Sequence, residues 1–167
     1  AAGMLPEAAQ VANSGNVELN GGDSLMSEHP FGGAGGYAWV WGYNGVTNSG
    51  NISANGGNDL GSTECTSDNC YGNFGGWVEL SAELGTLNNS GNIDVNGGNG
   101  LGFGGYAGGI ELSSSVVTNS GDMSANGGNA DASIEGTNGG DAGFIAMYSP
   151  NGAASSTHTG SSSYVGG

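Results

Sequence analysis

Fifteen carboxylates, two histidines, two cysteines and six tyrosines supply all of the titratable side chains of this 167-residue sequence, which contains no Lys and no Arg. The carboxylates set the first question. Calcium takes six to eight oxygen ligands from carboxylates, carbonyls and amides, and Asp23, Asp59, Asp131 and Asp141 sit in Gly- and Asn-rich stretches that offer such groups. Gly21-Gly22-Asp23 and Gly139-Gly140-Asp141 look like fragments of calcium-binding nonapeptides, but the full Gly-Gly-x-Gly-x-Asp pattern does not recur in tandem. Calcium is therefore the one cofactor these acids could take, with solvated acidic loops as the alternative reading. Neither His29, in Glu28-His29-Pro30, nor His158 belongs to a nucleophile–base constellation, because the many serines follow the turn positions of a repeat. No enzymatic activity is expected.

Cys65 and Cys70 bracket a small polar loop, Thr66-Ser67-Asp68-Asn69. An even count at short range reads as a local disulfide in an oxidising compartment. A zinc site would need further ligands that the neighbourhood lacks. The aromatic residues Tyr37, Trp39, Trp41, Trp77, Phe144 and Tyr148 fall in short alternating stretches at outward phase. Such rings stack on sugars or bury against another subunit.

The one-sided charge excludes several partners. An ordinary domain of this length carries about 40 charged residues of both signs, whereas this chain has a formal net charge of −15. Without cations it has nothing to neutralise phosphates, so a nucleic-acid partner is not expected. Anionic membrane surfaces are disfavoured for the same reason. No apolar run reaches the ~18 residues of a membrane-spanning helix, and the first residues, Ala1-Ala2-Gly3-Met4-Leu5-Pro6, do not read as a secretion signal.

The elements that must position these residues come from a repeat. Asn13–Gly22 returns as 48–57, 89–98 and 119–128, with a degenerate copy at 158–167; successive starts lie 35, 41, 30 and 39 residues apart. A constant core with unequal spacing means variable loops on a constant scaffold, here one domain over 1–167. A second, Gly-opened block precedes each core, as in Gly76-Trp77-Val78-Glu79-Leu80-Ser81, and an apolar residue (Val11, Val46, Leu87, Val117) stands two positions before each Asn. Three apolar stations per repeat predict three short strands. Period-two alternation turns Val17 and Leu19, Ile52 and Ala54, Ile93 and Val95, Met123 and Ala125 inward, with Val78, Leu80, Ile110, Leu112, Ile145 and Met147 from the second block. Glu18, Ser53, Asp94 and Ser124 then face solvent. The Asn-Gly pairs at 20–21, 55–56, 96–97 and 126–127 read as tight turns using positive φ. Asn13, Asn48, Asn89 and Asn119 would stack as an amide ladder, ending where His158 replaces the amide. The expected fold is all-β: a right-handed parallel β-helix (β-solenoid) of about five coils, each with three short strands and Gly-rich loops of variable length. An antiparallel hairpin array or sandwich shares the alternation but not the fixed flanks around unequal loops.

The run of Gly-rich loop, Gly-Gly-h-x-h, apolar residue and Asn-Ser-Gly-Asn-h-x-x-Asn-Gly-Gly resembles the repeats of filamentous-haemagglutinin-like bacterial surface proteins, over nearly the whole chain. That resemblance implies an exported right-handed β-helix, secreted or held at the cell surface, with a structural or adhesive role and no catalytic signature. The implied partners are copies of itself, as a homo-oligomer or filament, with glycans at the outward aromatics as the alternative. β-Helix lyases of acidic polysaccharides use Lys or Arg as base and substrate clamp, and this chain has neither. Ice binding through a flat Thr row is weakened because Ala12 and Asn88 interrupt the column containing Thr47 and Thr118.

Overall fold

The structure, a computed structural model, describes residues 10–25, 31–61, 70–131, 133–134, 136–149, 155–163 and 165–167. Cys65 and His29 lie outside them, as do the loop acids Glu28, Glu64, Asp68 and Glu135. In chain order the strands are β1 (Gln10–Asn13), β2 (Val17–Glu18), β3 (Tyr37–Gly42), β4 (Gly45–Asn48), β5 (Ile52–Ser53), β6 (Trp77–Ala82) and β7 (Thr86–Asn89). They continue as β8 (Ile93–Asp94), β9 (Gly109–Ser113), β10 (Val116–Asn119), β11 (Met123–Ser124), β12 (Phe144–Tyr148), β13 (Ser155–His158) and β14 (Ser162–Ser163). They form three sheets, ordered β1-β4-β7-β10-β13, β14-β11-β8-β5-β2 and β12-β9-β6-β3. Every strand pairing is parallel. The chain visits the three sheets in the same order on each pass, adding one tier of strands, as in a parallel β-solenoid. No helix occurs among the described residues, and none is long and apolar enough to cross a membrane.

Alternation builds the core. Ile52, Val78, Leu80, Leu87, Ile93, Val95, Ile110 and Leu112 are fully buried, each stabilised by about 1.5–3 kcal/mol relative to exposure. Val11, Val17, Leu19, Ile145 and Met147 are only partly buried against them. Glu18 is exposed, but Ser53, Asp94 and Ser124 are half-buried. They bond to the neighbouring tiers: the Asn20 amide donates to Ser53 (3.0 Å) and, along the column, the Ser124 hydroxyl donates to Asp94 (2.5 Å).

The asparagines are used more widely than turn chemistry suggests. Inside, Asn13 Nδ2 donates to Asn48 Oδ1 (2.7 Å), Asn48 to Asn89 (2.6 Å) and Asn89 to Asn119 (2.5 Å). Each amide also donates to the carbonyl two residues along its own tier. The ladder does not stop at Asn119, whose amide reaches His158 Nδ1 at 2.8 Å, because a ring nitrogen can accept where the amide oxygen stood. Three outer ladders run beside it. The side-chain oxygens of Asn16, Asn51 and Asn92 accept the backbone N–H of the next tier, as do those of Asn20, Asn55 and Asn96, and of Asp23, Asn58 and Asn99. In the inner ladder the donor lies on the earlier tier; in the outer three it lies on the later one.

The Asn-Gly dipeptides are not tight turns. Positive φ among the described glycines is confined to Gly45, Gly85 and Gly136. Gly21, Gly56, Gly97 and Gly127 instead lie where two extended segments touch backbone to backbone. A Cβ on any of them would overlap a carbonyl oxygen of the opposing Gly-rich stretch: Gly33, Asn73, Gly105 and Gly140 respectively. Hydrogen bonds zigzag between the two stretches, from Gly57 N to Gly33 O, Asn73 N to Gly57 O, Gly98 N to Asn73 O, Gly105 N to Gly98 O and Gly128 N to Gly105 O. Much of the glycine therefore serves close approach, closing the part of the interior that no side chain fills.

Candidate aromatic binding face

The third sheet carries the candidate site on its outer surface. Inward Ala38, Val78, Leu80, Ile110 and Leu112 fix its phase, and the register aligns three outward rows across the tiers. One row is Tyr37, Trp77, Gly109 and Phe144; the next is Trp39, Glu79, Glu111 and Ala146; the third is Trp41, Ser81, Ser113 and Tyr148. Five of the six rings are strongly exposed, from 43% for Phe144 and Tyr148 to 62% for Trp39; Trp77 is half-buried. Gly109 explains the sixth. It leaves a gap in its row, over which Trp77 and Phe144 meet edge to face at 4.8 Å. A Cβ at Gly109 would press on both rings.

Two carboxylates stand within this aromatic frame. Glu79 and Glu111 are register partners on neighbouring strands, and the Tyr37 hydroxyl donates to Glu79 at 3.1 Å. Partial desolvation, the Glu79 bond and then the charges of Glu79 and Glu111 hold the Tyr37 phenol above its ordinary range. At Tyr148 the largest single influence, a bond with Ser113, lowers the phenol's pKa. Burial, a bond with Glu111 and the two carboxylate charges outweigh it and raise it overall. The face thus offers ring surfaces beside hydrogen-bond acceptors, with no cation among them.

Beside it run two grooves, one of about 670 Å³ between Tyr37, Trp77, Phe144 and small residues such as Gly76 and Gly108, the other of about 760 Å³. The second is walled by Phe31, Tyr71 and Phe103 on one side and Phe74 and Tyr106 on the other. The first wall is a ring column stacked at 5.6 and 5.1 Å with planes 4° and 9° apart. Those ring faces are turned to one another, whereas Tyr37 and Trp39 on the sheet stack on no other described ring and are the most exposed of its aromatics. This column escapes the alternation argument. Its signal is an aromatic-Gly pair six residues before three of the four third-sheet strands, at Phe31, Tyr71 and Phe103, with Asn138 in that place before β12.

The loop acids are dispersed. Asp23 accepts from the backbone and amide of Asn58, Asp59 is buried and accepts from Gly61 N, and Asp131 accepts from Ser133 N. The Ser133 bonds hold the Asp131 carboxyl below its ordinary range. Asp141 borders the larger groove. Among the described residues no three of His, Cys, Asp and Glu gather as metal ligands would. Cys70 is fully buried and is not a free thiol. Ala12, Thr47, Asn88, Thr118 and Thr157 share one register column, so the Thr row is interrupted in the structure too. No family model, curated protein or solved structure matches the chain.

Proposed function

We propose that the chain is an adhesive segment of a secreted or surface-exposed, right-handed β-solenoid of about five coils, which holds uncharged polysaccharide on its third sheet. The observation that carries this reading is the exposed aromatic surface of Tyr37, Trp39, Trp41 and Tyr148 on a strand framework whose inner face is buried at Val78, Leu80, Ile110 and Leu112. Rings stack on the apolar faces of sugars, and Glu79, Glu111 and Ser81 supply acceptors for hydroxyl groups. The net charge of −15 without a compensating cation disfavours anionic glycans. A Cys65–Cys70 disulfide belongs to the same extracellular reading.

The test is retention on neutral insoluble polysaccharides such as cellulose and chitin, followed by affinity electrophoresis with soluble neutral glucans. Retention is expected for the native chain and a loss of about tenfold or more for Trp39→Ala with Trp41→Ala, each stacked ring contributing about 1 kcal/mol, with unchanged thermal unfolding. Binding that survives both substitutions overturns the reading. A second reading, lateral or end-to-end self-assembly, draws on the same contiguous apolar surface. Like charge on both copies opposes it at low salt. Sedimentation that reveals oligomers dispersed by the same substitutions, without glycan retention, would favour it.

A further inference from the structure

Asparagine followed by glycine is the dipeptide most prone to spontaneous loss of its amide, and the sequence contains eight such pairs. In that reaction the Gly nitrogen gives up its proton to water or hydroxide and attacks Asn Cγ. The N–Cγ bond forms, the Cγ–Nδ2 bond breaks, and the amide nitrogen leaves as ammonia with a proton from solvent. Water then opens the resulting succinimide at either carbonyl, leaving aspartate or isoaspartate. Glycine speeds the step because no Cβ hinders its nitrogen.

Five of the pairs are held by a common device. A single residue of the next tier bonds both reacting groups: its carbonyl accepts from the Gly nitrogen, and its own N–H donates to the Asn side-chain oxygen. Asn55 holds Asn20-Gly21 in this way, at 2.8 Å on both sides. Asn96 holds Asn55-Gly56 (2.8 and 2.8 Å), and Asn126 holds Asn96-Gly97 (2.9 and 2.8 Å). Val165 holds Asn126-Gly127 (2.8 and 3.0 Å), and Asn129 holds Asn99-Gly100 (3.0 and 2.8 Å). Cyclisation requires the Gly nitrogen to leave its acceptor and swing onto a Cγ whose oxygen is tied to the same residue. Attack therefore waits on local opening of the tier.

Asn138-Gly139 lacks this clamp. The register places Asn138 in the column of Phe31, Tyr71 and Phe103, where side chains of successive tiers face one another and not a backbone N–H. Its side chain is exposed on the wall of the larger groove, and no described N–H donates to it. Asn44 has a partner of its own and Gly45 is buried, while Asn151 lies outside the described residues.

We infer that the outer ladders shield the molecule chemically as well as joining its tiers, and that Asn138-Gly139 is its site of spontaneous deamidation. The shield matters most against isoaspartate. Asp23 and Asp122 already occupy ladder positions and accept the same kind of N–H, so an ordinary aspartate fits there. Isoaspartate would add a backbone atom and shift the parallel register of its tier. At Asn138 the new carboxylate joins Asp141 on the groove wall. None of this depends on what the third sheet binds.

The test holds the intact 167-residue chain for weeks in warm, mildly alkaline buffer, with and without guanidinium chloride. Aspartate and isoaspartate at each pair are then measured by mass spectrometry of peptic peptides. In the unfolded chain all pairs should react at similar rates. Folding should slow the five clamped pairs by about tenfold or more, because two hydrogen bonds must break before attack, while Asn138 stays within about threefold of its unfolded rate. Clamped pairs that react as fast folded as unfolded, or an Asn138 slowed as much as they are, would overturn the inference.

Discussion

At the scale of the residue, position in the ladder decides what an asparagine is worth. Asn88 and Asn89 are adjacent in β7, yet Asn88 is exposed and Asn89 is buried, bonded to Asn48, Asn119 and Gly91. Asn89→Ala would leave the Asn48 amide and the Asn119 oxygen without their partner in the interior, each at about 1–3 kcal/mol. Urea denaturation should show a loss of about 3 kcal/mol, against at most ~0.5 kcal/mol for Asn88→Ala; equal effects would deny the ladder its energetic role. The Asn13, Asn48, Asn89 and Asn119 column was legible because the same residue returned at the same place in each repeat. The outer columns at Asn16, Asn20 and Asp23 were not. An amide that caps its own turn and one that bonds the next tier look alike in one dimension, and only the stacking distinguishes them.

At the scale of the element, the strands followed from alternation but the glycine stretches did not. Val78 and Leu80 announced their inward phase through flanking Trp77, Glu79 and Ser81, and the outward aromatics followed from it. Gly-Gly after Asn carried no such phase, since conformational freedom and the absence of a Cβ both select glycine. The structure separates the two causes at equivalent sites. Gly98 lies against the Gly57 carbonyl, whereas Gly22, in the first described tier, would bring a Cβ within 4 Å of no described atom. Gly98→Ala should cost more than about 2 kcal/mol and Gly22→Ala less than about 0.5 kcal/mol in thermal or urea unfolding. Similar costs at both sites would return the dipeptides to a turn role. The paired walls of the larger groove escaped for a related reason: Phe31, Tyr71 and Phe103 keep a fixed spacing to the strand that follows but lie in Gly-rich loops with no alternation to give them a phase.

At the scale of the whole molecule, charge of a single sign makes the response to salt unambiguous. With no Lys or Arg there are no lysine or arginine ion pairs for salt to weaken, and the carboxylates on neighbouring tiers, such as Glu79 beside Glu111, repel. Screening shortens that repulsion to within about 8 Å at physiological ionic strength. Raising sodium chloride from about 20 mM to about 500 mM should therefore raise Tm by several degrees, and a fall in Tm would mean that some attractive charge network has been overlooked.

The opposed directions of the inner and outer ladders have a genetic consequence. Each of the first three tiers offers the next the same donors and acceptors at the same four columns, whatever the length of the loops between them. Recombination between two copies of the Asn-Ser-Gly coding segment would join an upper surface to a matching lower one. Adding or removing a tier in this way changes the reach of the molecule without demanding a compensating mutation, so length is the trait that such a gene can vary most freely.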